Sequence, residues 1–153
     1  MVKKIFIIIF ILLLLTLLGD ANPNFIRNHF IYTGESASWS AVYAANEKGV
    51  FSENQKGLTF HSWSKDLLTI TYKKDPSGLL LIKNIRIDYK PEPESISGFL
   101  AEDYTNGPGA RSVYRISTGS RGAMLLREDV IFTITVTTNG SAETMHLKNQ
   151  AVN

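Results

Sequence analysis

The 153-residue sequence contains no cysteine. That excludes disulfides, thiolate metal ligands, a cysteine nucleophile and a lipid-modified N-terminal Cys. Only three histidines are present, His29, His61 and His146. None lies near another in sequence, so no H-x-x-x-H pair is available to seed a zinc site. Charge of one sign is missing too: 16 Lys and Arg stand against 14 Asp and Glu. Lys3, Lys4 and Asp20 carry +1 between them, which leaves the chain after residue 21 near +1. Such a balance gives no electrostatic case for nucleic acid or for an anionic membrane surface. No helical period is sustained after residue 21, and there is no internal repeat.

What is present begins with a leader. Lys3 and Lys4 precede an apolar run from Ile5 to Leu18, broken only by Thr16, and Gly19-Asp20-Ala21 follows. A run of this length suits the core of a signal peptide better than a bilayer-spanning helix, which needs about 20 apolar residues. Gly19 and Ala21 form a small-x-small site, so cleavage after Ala21 is expected, with an uncleaved anchor as the alternative. Residues 1–21 thus read as a signal peptide or membrane anchor, an apolar helix ahead of the folded part. The protein is placed outside the cytoplasm, secreted or on the outer face of the membrane, and touches the membrane only through this segment.

Residues 22–33 read as a linker running into a first short strand, and residues 34–150 as one β-domain. A strand from Trp39 to Ala45 precedes a polar loop at 46–57. Residues 58–63 and 67–72 alternate as strands about a turn at Lys65-Asp66. Asp75-Pro76-Ser77-Gly78 is a turn sequence, because Pro fixes φ and Gly permits reversal. Residues 79–89 are the longest strand candidate, ended by a Pro91-Glu92-Pro93-Glu94 crossover. Weak strands follow at 96–104 and 113–116 about a turn at 105–109, then a loop with one helical turn before Arg127.

The clearest element is the last. Phe132, Ile134 and Val136 alternate with threonines, and Asn139-Gly140 supplies the two positive-φ positions of a type I′ turn. With those two in the turn, Phe132 opposes Leu147, Ile134 opposes Met145 and Thr133 opposes His146. The apolar residues of both strands then share one face. Strands at intervals of 8–12 residues predict an all-β fold, a single antiparallel sandwich of about 7–9 strands.

The chain resembles small exported proteins of Gram-positive bacteria that pair an early Gly-Glu-Ser-x-x-Trp with a late Asn-Gly-x-x-Glu hairpin. The matching residues are Gly34, Glu35, Ser36 and Trp39, then Asn139, Gly140 and Glu143. The resemblance implies an immunoglobulin-like sandwich and no particular mechanism. Members of that group often carry a lipoprotein Cys, which this chain lacks.

No catalytic constellation is evident. The neighbouring pairs Glu102-Asp103 and Glu128-Asp129 point to opposite faces of a strand, and there is no G-x-S-x-G elbow or calcium loop. No metal or cofactor is expected. The densest basic-aromatic cluster, Arg111, Tyr114, Arg115 and Arg121, is the candidate ligand-binding group. The expected role is therefore non-enzymatic binding of an unknown envelope protein or polymer. The alternatives are an envelope hydrolase using Glu35 with Ser36 or a histidine such as His61, and an assembly subunit that adds strands at an exposed edge.

Overall fold

The computed structural model describes residues 24–54, 57–92, 97–122 and 124–150. The expected leader, with its expected helix and cleavage site, lies outside the described residues. Among the described residues, no helix is long and apolar enough to cross a membrane.

The chain is all-β. Eight antiparallel strands run β1 (Asn24–Glu35), β2 (Trp39–Asn54), β3 (Gly57–Tyr72), β4 (Asn84–Glu92), β5 (Gly98–Asp103), β6 (Val113–Thr118), β7 (Ile131–Thr138) and β8 (Ser141–Asn149). They form one sheet in the order β5-β4-β7-β8-β1-β2-β3-β6, curled until nearly closed. The junction between its halves is narrow: Tyr32 pairs with Asn149 and Thr33 with Lys148. Curling brings Tyr43 of β2 onto Phe132 of β7 in a stacked contact at 4.2 Å, with Tyr32 edge-on to the same ring at 4.9 Å. The two free edges, β5 and β6, are bridged by side chains. The Tyr104 and Tyr114 hydroxyls lie 3.2 Å apart, and Arg111 pairs with Glu102.

The terminal hairpin forms as its alternation predicts. Phe132 opposes Leu147, Ile134 opposes Met145, and Asn139 and Gly140 take φ of 49° and 82°. All four apolar residues are buried, as are Ile85, Ile87 and Tyr89 of β4.

Several expected boundaries are corrected. Residues 46–57 are not a long loop: β2 and β3 are sixteen residues each and pair from Trp39–Tyr72 out to Asn54–Gly57. Lys65 and Asp66 are mid-strand rather than a turn, because Lys65 pairs with Asn46 and Asp66 with both Ala45 and Thr118, and this pairing outweighs their turn preference. β1 is a twelve-residue strand and not a short one. The apolar run expected to open the longest strand is instead a 3₁₀ helix, Pro76–Leu81. Asp75 accepts from the Ser77 N–H at 2.8 Å and Pro76 stands in the first turn, so the helix is nucleated before any strand can start. A period of three then buries Leu79 and Ile82 and leaves Leu80 and Leu81 exposed. Pro91 does not end β4; it pairs with Phe132. The residues directly before Arg127, 124–126, form no helical turn.

Candidate functional site

Of the predicted cluster, only Arg111 and Tyr114 come together. β6 is extended, so alternate residues leave on opposite faces and the arginines are strung along the β3 edge. Arg111 is exposed, paired with Glu102, and lies 5.7 Å from the Tyr114 ring. Tyr114 is buried, donates or accepts at Tyr104 and accepts from the Arg111 N–H at 3.0 Å. Its hydroxyl is held well above the usual phenol range, chiefly by burial. Tyr114 is thus a core residue that closes the sheet. Arg115 is exposed opposite Thr69. Arg121 bridges to Trp63, eight positions down β3 from the Thr71–Val113 pair, roughly 25 Å away.

Around Arg121 the chain forms an open groove of about 450 Å³, lined by Phe60, His61, Ser62, Trp63, Arg121 and Gly122. The groove wraps an edge. β2–β3 continues well past the last β6 pair, and only a short stretch runs beside it there. The Ser64 N–H donates to Ser120 O, and the Gly122 N–H donates to Ser62 O. Beyond Ser62 no described strand pairs with this side of β3. By the antiparallel alternation, the backbone groups of Phe60 point out from it. Phe60 packs over Gly49, where an added Cβ would lie 2.7 Å from its ring, and against Phe51 at 4.6 Å. Trp63 is 42% exposed beside Arg121. A bare indole, a guanidinium and an open strand edge therefore share one groove.

A second feature is enclosed. Glu47 and Asp66 face inward at 4% and 6% exposure, on diagonal positions of the β2–β3 ladder. Glu47 accepts from the Leu126 N–H at 2.9 Å, and Asp66 accepts from the Tyr43 and Ser64 hydroxyls at 3.1 and 3.0 Å. Burial pushes both carboxyls above the usual range, against these hydrogen bonds. This pair is hidden in the sequence because Glu47 falls in an expected loop and Asp66 in an expected turn. Carrying the period of two through would have set Glu47 with Tyr43 and Asp66 with Leu68.

The hydrolase residues are held apart. Glu35 is bonded to Lys73 at 2.9 Å and held below the usual range by that hydrogen bond. It stands opposite Ser40, at the Thr71 end of β3, whereas His61 is ten positions away, roughly 30 Å. Ser36 is bonded instead to Glu143 at 2.7 Å. The Ser38 N–H and hydroxyl join the same carboxylate at 2.8 and 2.5 Å. Ser36 and Ser38 thus meet Glu143, fastening the β1–β2 turn to β8.

Comparison with protein-family models, with curated proteins and with solved structures finds no match.

Proposed function

We propose that the chain is a non-enzymatic binding protein working outside the cytoplasm, meeting an envelope protein or polymer at the groove around the β3 edge. One observation carries this reading: Trp63, Arg121 and the edge at Phe60, unpaired among the described residues, share a groove of about 450 Å³. The indole offers a flat apolar face, the guanidinium a paired-donor contact for an anionic group, and the edge a row of backbone partners. An extended ligand segment with an acidic group fits all three. The location rests on the leader in residues 1–21. At the level of fold, the stacking of Tyr43 on Phe132 supports the finer reading of an immunoglobulin-like sandwich, with β1-β2-β3-β6 laid over β5-β4-β7-β8.

Trp39 is buried and Trp63 is exposed, so a ligand-induced change in indole fluorescence reports the groove. The full chain is titrated with a soluble anionic wall polymer and, separately, with an acidic extended peptide. At least one probe is expected to change the emission. Trp63→Ala and Arg121→Ala should each weaken that binding about tenfold, a loss of about 1.4 kcal/mol, while Arg115→Ala leaves it intact. Silence from both probes, or unchanged affinity in both groove variants, refutes the reading.

The same open edge favours a second reading, an assembly subunit that pairs β3 with another copy. Exposed Leu58 and Phe60 near the tip would be covered by such pairing. Concentration-dependent sedimentation of the full chain distinguishes it.

A further inference from the structure

The enclosed cavity behind β2, β3 and β6 is small, about 30 Å³, room for one ion or a water or two. Its lining includes Tyr43, Glu47, Ser64, Asp66, Thr118 and Ser120, all bearing oxygen. Among the described residues, no lysine, arginine or histidine lines it. Asp66 is 94% buried by its 6% exposure, and its Oδ1 has no hydrogen-bond partner among the described residues. The Thr118 Oγ1 on facing β6 is likewise buried without one. A buried carboxylate with a bare oxygen is costly in a low-dielectric interior, and a second carboxylate beside it adds to that cost. Water satisfies the bare oxygens, whereas a cation also compensates the charge that both carboxylates carry when ionised.

We propose that this cavity is a site for a single hard divalent cation of the Ca²⁺ type, held by Asp66 and Glu47 with the hydroxyl oxygens of Ser64, Thr118 and Ser120. The donor set decides the class. Two carboxylates match a divalent charge, and hydroxyl oxygens suit a cation that accepts six to eight oxygens in loose geometry. Mg²⁺ demands tight octahedral geometry and gives up its waters reluctantly, so a cavity this small disfavours it. Nitrogen and thiolate donors for Zn²⁺ are missing from the lining, where the one sulfur belongs to Met124. Among the described residues, no three carboxylate or imidazole groups converge. The affinity therefore belongs to the weak class, with Kd on the order of 1 mM. Gly119 and Ser120 line the cavity and Arg121 and Gly122 line the groove, so an ion here also fixes the stretch that presents Arg121.

Thermal unfolding of the chelator-stripped full chain at pH 7.5 tests the site. At 10 mM CaCl₂, about ten times that Kd, the midpoint should rise by about 5 °C. MgCl₂ at 10 mM, and NaCl at equal ionic strength, should leave it within about 1 °C of the stripped chain. Asp66→Asn keeps an acceptor for Tyr43 and Ser64 and should abolish the Ca²⁺ shift. Should that variant not fold, Thr118→Val decides, with a shift reduced at least by half. An absent Ca²⁺ shift, an equal one from Mg²⁺ or NaCl, or a full shift in the deciding variant overturns the proposal.

Discussion

The Glu143 carboxylate carries a prediction that follows closely from its geometry. It accepts from the Ser36 hydroxyl at 2.7 Å, the Ser38 N–H at 2.8 Å and the Ser38 hydroxyl at 2.5 Å, and Ser38 is buried. Hydrogen bonds to a charged group are worth about 1.5–3 kcal/mol each, but the two hydroxyls can rotate to other acceptors when the carboxylate goes. The Ser38 N–H cannot, and an orphaned buried amide costs about 1–3 kcal/mol. Glu143→Ala should therefore destabilise the fold by about 3 kcal/mol, a loss of roughly 10 °C in Tm. Glu143→Gln keeps one acceptor for the amide and should lose about 1 kcal/mol. The pH dependence has a definite sign. Burial raises the Glu143 carboxyl, but the hydrogen bonds from Ser38 and Ser36, with Lys74 nearby, outweigh it and hold the group below its ordinary 4.5. A depressed carboxyl stabilises the fold above 4.5, and that stabilisation is lost as pH falls through the folded value. The gap between wild type and Glu143→Gln, measured by urea unfolding, should thus be widest at pH 7 and shrink below about 4.5. A cost under about 0.5 kcal/mol for Glu143→Ala, or a gap unchanged between neutral and acid pH, would refute the latch.

Gly34 lies where β1 meets β8, and a Cβ there would stand 2.8 Å from the His146 carbonyl oxygen and 3.0 Å from Leu147 Cδ1. Because backbone must yield, Gly34→Ala should cost about 2–3 kcal/mol in urea unfolding, and a cost below about 1 kcal/mol would show that the junction gives freely. In β4, Lys90→Pro should cost about 3 kcal/mol or more, since the amide at that position faces Thr133 across the β7 ladder. A midpoint close to that of the wild type would show this end of the ladder to be dispensable.

Much of the fold was legible because the buried strands alternate cleanly. Phe132, Ile134 and Val136 admit one register against Met145 and Leu147, and a slip by one would put all of them in water. The reading failed where local chemistry is overruled by neighbours on both sides. Asn46-Glu47-Lys48-Gly49 looks like part of a loop and Lys65-Asp66 like a turn, yet each strand there is paired, and paired backbone keeps its extended form whatever its local preference. The candidate site was lost by the same step. Arginines close in sequence along an extended segment are far apart in space, whereas Trp63 and Arg121, far apart in sequence, are joined by antiparallel pairing.

Pro91 shows what a sequence rule leaves out. Proline is barred from a strand only where its nitrogen must donate. The Asn139 N–H donates to Asn84 O, which makes Ile85–Thr138 a pair without mutual hydrogen bonds. Counting along the ladder by twos, the same holds at Ile87, Tyr89 and Pro91, so their nitrogens face the β5 side. β5 pairs no further than Gly98 opposite Tyr89, and the nitrogen of Pro91 therefore faces a side where no β5 residue is paired. The ring is buried beside Phe132 at no cost in ladder hydrogen bonds, and β4 runs on to Glu92. The residue that seemed to end the strand instead stands at the one register where a proline fits, and the same parity is what makes Lys90→Pro costly one step earlier.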